Sequence, residues 1–215
     1  MGRRGRVRSP GGVPRWPGAV ALLSIGASYL ALSDYVTIVP RLWLPGLMTV
    51  LVVALLTAHA RGRYRLARGI SFVLLGIVTA SLMLREFFLV STLSERSASA
   101  LSVLVDAVLI WVGTVVAFAV WYWELDGGGP DGRTLDSHTS EDFLFPKMDQ
   151  NDGKRAIGWT PGFRDYLFVS FTTSSTFGPT DTPVLSGRVK ILTVIQTVLS
   201  LVVVIVLVAW AVGTL

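Results

Sequence analysis

From Ile191 to Leu215 the chain carries no charged side chain and no proline. A run dominated by Val, Ile and Leu that exceeds ~20 residues is long enough, as a helix, to cross the ~30 Å hydrocarbon core of a bilayer. Earlier runs repeat the pattern at about Trp16–Tyr35, Leu42–Ala60, Gly69–Thr92 and Ser99–Trp123. A soluble domain carries about 25% charged residues, whereas this chain of 215 residues carries 15%, with 52% apolar. The solvent is therefore a bilayer. The reading is an all-α integral membrane protein of five transmembrane helices. Its parts are a basic arm at 1–15, four spans within 16–123, a polar loop at 124–162, an irregular segment at 163–186 and a last span at 187–215.

Charge falls at the ends of these runs. The arm holds Arg3, Arg4, Arg6, Arg8 and Arg15, and the second loop holds Arg61, Arg63, Arg65 and Arg68, against Arg41 and Arg96 on the opposite side. Lys and Arg concentrate in cytoplasmic loops, which puts the N-terminus in the cytoplasm. The net charge of +5 is thus topological, and the partner it implies is the lipid bilayer rather than nucleic acid. The abundance of Arg, Ala, Val and Leu points to a GC-rich bacterial genome, and so to a bacterial cytoplasmic membrane. No cysteine is present, which removes disulfides, thiolate metal sites and cysteine nucleophiles. The spans hold no His, Asp and Glu cluster with catalytic or metal spacing, so neither an enzyme nor a resident cofactor is expected.

Ionisable residues inside the spans are Arg85, Glu86 and Asp106. Charge at membrane depth is costly and usually pairs or lines a functional path. Arg85 and Asp106 lie at similar distances from the loop joining their helices, and an intramembrane ion pair between them is expected. The 124–162 loop is rich in Gly, Pro and acidic residues and reads as solvated, with Phe143, Leu144 and Phe145 as candidates to dock on the membrane surface. Asp149 to Gly153 has the beginnings of a calcium loop but lacks its glycine at the sixth position and its closing glutamate.

The segment Asp165–Asp181 starts apolar, becomes a run of hydroxyls and ends Phe-Gly-Pro-Thr-Asp. Irregular backbone survives at membrane depth only where protein buries it or water reaches it. A half-helix followed by such a turn reads as a re-entrant pore-helix and loop before the last helix. In that last helix Thr193, Gln196, Thr197 and Ser200 recur at i, i+3, i+4 and i+7, a polar stripe that either lines a pore or packs against helices.

These residues resemble the pore loop of tetrameric potassium-channel-type proteins. That pattern is an acidic residue, a pore helix, Thr-x-x-Thr-Val-Gly-Tyr-Gly-Asp, then Pro-Val and Gly-Arg. Asp165, Ser170, Thr173, Thr176, Gly178 and Asp181 fall in register with it, and Pro183-Val184 and Gly187-Arg188 follow. Pro179 stands in the place of the aromatic residue and Thr180 in that of the second glycine. Over most of its length the chain also resembles a bacterial membrane family of unassigned activity, through Ser170-Phe171-Thr172, Thr176-Phe177, Asp181 and Arg188.

The first resemblance implies a potassium-channel-like cation channel with a non-standard selectivity filter, passing K⁺ or Na⁺. Its filter would be Thr173, Ser175, Thr176, Phe177, Gly178, Pro179, Thr180 and Asp181, with Thr193, Gln196, Thr197 and Ser200 lining the pore. A homo-oligomer, a tetramer by that family's pattern, would be needed to surround an ion. The alternatives are a non-conducting structural or accessory subunit and a small ion-coupled transporter.

Overall fold

The structure, a computed structural model, describes residues 14–33, 40–95, 99–132, 141–149, 160–176, 178 and 181–213. Six helices organise it. They are α1 (Trp16–Ser28), continued by a 3₁₀ turn over Tyr29–Ala31, α2 (Trp43–Ala60), α3 (Tyr64–Glu95), α4 (Ala100–Leu125), α5 (Phe163–Thr176) and α6 (Gly187–Gly213). Single helical turns at Gly129–Gly132 and Pro146–Asp149 decorate the segment after α4. Among the described residues, four helices are long and apolar enough to cross a membrane: α2, α3, α4 and α6. That is one fewer than the sequence implies, because α1 with its 3₁₀ turn is apolar but shorter, covering Trp16–Ala31.

α3 begins earlier than expected. Arg65 and Arg68, read as loop, lie in its first turns, and only Arg61 to Arg63 turn the chain. Gly62 makes that turn with φ of 70°, a conformation glycine adopts without a steric cost. At the other end of α3, Ser99 caps α4 by accepting the Ser102 N–H at 3.2 Å.

α4 is the central helix and packs against α1, α3, α5 and α6. Its C-terminal half carries the largest buried side chains, Phe118, Tyr122 and Trp123, which join Leu22, Leu74, Leu75, Phe143 and Tyr166 in the main apolar core. A second core, of Tyr29, Leu32, Leu89, Val103, Ala107, Ile110, Val203 and Val206, fills the other end of the bundle. Outward faces are apolar too: Val50, Val53, Val73, Ile191, Val194 and Val208 are all more than half exposed. A helix apolar on every side is what hydrocarbon selects.

α1 approaches α4 closely because Gly18 has no side chain. A Cβ built there lies 2.5 Å from Cζ3 of Trp123. Gly18→Val is therefore expected to cost about 1–3 kcal/mol by overpacking, read as a lower unfolding midpoint in detergent. An unchanged midpoint would show that Trp123 is free to move aside.

The helix directions give the bundle two ends. Arg15, the 61–63 turn, the C-terminus of α4 and the N-termini of α5 and α6 share one, called here the arginine-rich end. The α1–α2 connection, the start of α4 and the end of α6 share the other.

Candidate functional site: α5 and the groups that hold it

α5 has 14 residues, about 21 Å of helix at 1.5 Å per residue. Its start is fixed at the arginine-rich end. Asp165 Oδ2 accepts the Gly162 N–H at 2.7 Å and so caps the first turn. At the next residue, the Tyr166 hydroxyl donates to Asp126 Oδ2 at 2.5 Å. Asp126 follows directly on α4, and its Oδ1 accepts the N–H groups of Asp142 and Phe143 at 2.7 and 3.3 Å. One buried carboxylate thus ties together the end of α4, the beginning of α5 and the segment around residue 142.

That segment was expected to be a solvated loop with aromatics docking on the membrane surface. Residues 141–145 instead dock on protein. Phe143 is fully buried, edge-on to Tyr122 and Tyr166, and Phe145 is edge-on to Tyr166. Their backbone clasps the strand-like stretch leading into α6. Leu144 N–H donates to the Pro183 carbonyl at 3.0 Å, and Leu185 N–H to the Asp142 carbonyl at 2.8 Å. Phe143 and Val184 form an antiparallel bridge. Arg188 closes the clasp on Asp142 with contacts of 2.6 and 3.1 Å. The chain therefore departs along α5 from the same end to which it comes back at residues 183–188.

The middle of α5 is held from α6. Gln196 is fully buried. Its Nε2 donates to the Ser170 carbonyl and hydroxyl, both at 2.8 Å, and to the Ser174 hydroxyl at 2.7 Å. Its Oε1 accepts from the Tyr122 hydroxyl at 2.5 Å. Ser170 in turn donates to the Val115 carbonyl at 2.6 Å, locking α5 to α4. Of the polar stripe on α6, Gln196 and Ser200 are buried within the protomer, and Thr193 and Thr197 are half-buried. Between the two readings of that stripe, Gln196 takes the packing one. Inside a single protomer it faces α5 and α4, and Thr193 bonds back to the Val189 carbonyl at 2.9 Å.

The hydroxyl run differs from expectation in one respect. It does not break the helix, which continues to Thr176. Apart from Ser174, which accepts from Gln196, these hydroxyls are satisfied by the preceding turn: Thr172 and Thr173 donate to the Val169 carbonyl at 2.9 and 2.7 Å, Ser175 to Phe171 at 2.8 Å and Thr176 to Thr172 at 2.7 Å. Back-bonding of this kind lets Ser and Thr sit in a helix without a polar neighbour. Thr173 is buried, whereas Ser175 and Thr176 are exposed at the helix tip. Thr176 also donates to the Gly178 carbonyl at 3.0 Å. Among the described residues a Cβ at Gly178 meets nothing within 4 Å. Asp181 is exposed and lines a cavity of ≈ 280 Å³ together with Asp165, Phe168 and Lys147. Phe177, Pro179 and Thr180 lie outside the described residues.

Arg85 and Asp106 are both buried, but among the described contacts they do not pair with each other. Each is used instead on the end of α1. The Arg85 guanidinium lies over the Tyr29 ring, 4.0 Å from its centroid, and Asp106 Oδ1 accepts the Ser33 N–H at 3.1 Å. A ring face and a backbone N–H substitute for the missing opposite charge. Among the described residues, Nε and Nη2 of Arg85, both carboxylate oxygens of Glu86 and Oδ2 of Asp106 have no hydrogen-bond partner.

The ion pairs that do form were not visible from spacing. Arg15, counted with the basic arm, is 3% exposed. It meets Glu124 at 2.7 Å and Asp131 at 2.8 Å, and its Nη1 also donates to Ser71 at 3.2 Å. His59 Nδ1 lies 3.6 Å from the other oxygen of Asp131. The only sequence signal for Arg15 is its place beside Trp16, where the apolar run starts. Glu124, Asp126 and Asp142 carry the signal of acidic residues close to aromatic ones.

Comparison of the chain with protein-family models, with curated proteins and with solved structures finds no match. The fold and its buried contacts are therefore the ground for any functional reading.

Proposed function

We propose that this chain is one subunit of a homo-oligomeric cation channel, with α5 and residues 177–186 forming a re-entrant helix and loop that enters from the cytoplasmic face. In this reading α1, with its 3₁₀ turn, is a fifth and short crossing, and the arginine-rich end is cytoplasmic by the distribution of Arg. The observation that carries it is the return of the chain. Residues 183–188 pair with the same 142–144 segment that packs on the start of α5. A 14-residue helix falls short of the ~20 residues of a full crossing. It leaves Asp181 exposed on the protomer, and hydrocarbon does not satisfy a carboxylate. Further copies of the chain, placed around a water-filled axis, would. Thr176, the Gly178 carbonyl and Asp181 would then face the permeant K⁺ or Na⁺.

A second reading is favoured by Gln196. It is consumed inside the protomer, as expected of a channel-like subunit that is structural and does not conduct. Flux separates the two. Purified protein in liposomes is expected to pass K⁺ or Na⁺, and Gly178→Ala is expected to abolish that flux. The substitution suits the test because a Cβ at Gly178 clashes with nothing among the described residues. Absence of flux for both cations at every voltage would overturn the channel reading in favour of the structural one. Flux that survives the substitution would move the pathway away from Gly178.

A further inference from the structure

A groove of ≈ 670 Å³ opens at the arginine-rich end between α1, α4 and α5. Its walls are apolar, chiefly Val20 and Ala21 of α1, Val116 of α4 and Leu167 of α5. At its polar end are Trp16, which is 62% exposed, and Arg164, which is exposed and makes no hydrogen bond or ion pair among the described residues. The neighbouring acid, Asp165, is turned onto the Gly162 N–H. The N-terminus of α1 lies beside the groove with no side-chain cap, and uncapped helix starts offer N–H groups to anions. Trp123 also lines the groove, and its Nε1–H is buried with no acceptor among the described residues.

Its chemistry decides what can fill it. It suits a single flexible chain. One end supplies unpaired donors and a cation at the level of the membrane surface, and the rest supplies hydrocarbon. We propose that this groove is a binding site for an anionic phospholipid, with its phosphate held by Arg164 and the N-terminus of α1 and one acyl chain laid between α1 and α5. Trp16 and Trp123 sit at the depth where indoles favour the headgroup boundary. The lipid extends the wall of α5 that protein leaves uncovered. The site stands whether or not the chain conducts ions.

The test is native mass spectrometry on full-length protein equilibrated with equal amounts of phosphatidylglycerol and phosphatidylcholine. The expected result is retention of phosphatidylglycerol over phosphatidylcholine at one lipid per chain, unaffected by added inorganic phosphate. Arg164→Gln is expected to reduce phosphatidylglycerol retention about fivefold, the effect of one basic contact at an anionic headgroup. Val20→Trp, at an exposed position, fills the groove and is expected to abolish retention with the unfolding midpoint unchanged. Equal retention of the two lipids, or full retention by Arg164→Gln, would overturn the proposal. So would displacement by phosphate alone, or a lipid-free dimer that cross-links through a cysteine placed at residue 20.

Discussion

Arg15→Met is expected to lower the stability of the solubilised protein by about 3–5 kcal/mol, the usual result of removing one partner from a buried ion pair. Glu124 is 2% exposed, and the loss of Arg15 would leave its buried carboxylate without the guanidinium at 2.7 Å, while Ser71 still donates to it at 3.0 Å. Methionine keeps the length and packing of the arginine stem, so the effect isolates charge from volume. Arg15→Lys is expected to fall between the two. Lysine is a point charge without the planar fork, whereas Arg15 divides Nη1 between Glu124 and Ser71 and directs Nη2 and Nε to Asp131. The double variant Arg15→Met with Glu124→Gln is expected to recover part of the loss. Thermal unfolding followed by size-exclusion chromatography reads all three. A single Arg15→Met variant as stable as the parent would mean that water reaches Glu124 and that the ion pair is not structural.

Gln196→Leu is expected to cost about 2–3 kcal/mol. Hydrogen bonds between membrane helices average ~0.6 kcal/mol each, and stranding a buried donor or acceptor adds to that. Gln196 joins Ser170, Ser174 and Tyr122 at once, so several groups lose partners together. The loss is expected to be local. Hydrogen exchange should accelerate in α5 from Ser170 to Thr176, while α2 and α3 keep their protection. If exchange rises evenly over all helices, Gln196 supports the whole bundle rather than α5 in particular. Ser174→Ala is the smaller companion, removing one of these contacts and leaving the Ser170 contacts in place.

The long elements were legible because their cause is local. A run such as Trp43–Ala60 needs only its own composition to become a helix in a bilayer, and α2 and α4 begin and end within two residues of where the apolar runs do. α3 is longer than its apolar run, since Arg65 and Arg68 extend a helix whose first turn emerges from hydrocarbon. The start of α5 at Phe163 also followed from composition. Its end did not, because the hydroxyls of Thr172 to Thr176 resemble turn residues until their back-bonds to the preceding carbonyls are seen. What could not be read is pairing across the sequence. Arg85 and Asp106 looked like partners by depth, yet each finds a nearer group on the end of α1. Arg15 and Glu124 are separated by 109 positions, and nothing in spacing connects them. The prominence of Gln196 was visible, but the direction it faces is a property of the assembled bundle.

The buried contacts around α1 and α5 also impose an order on synthesis. α1 leaves the ribosome with Arg15 at its head, and the two carboxylates that neutralise it follow 109 and 116 residues later. Until α4 has been made, Arg15 lacks the carboxylates that neutralise it, although α2 already offers α1 an apolar face. α5 faces the same delay on a smaller scale, since Gln196 is made 22 to 26 residues after the serines it grips. Each of these two short helices receives its last polar partner from a longer helix that follows it: α4 brings the carboxylate that meets Arg15, and α6 brings the amide that joins the serines of α5.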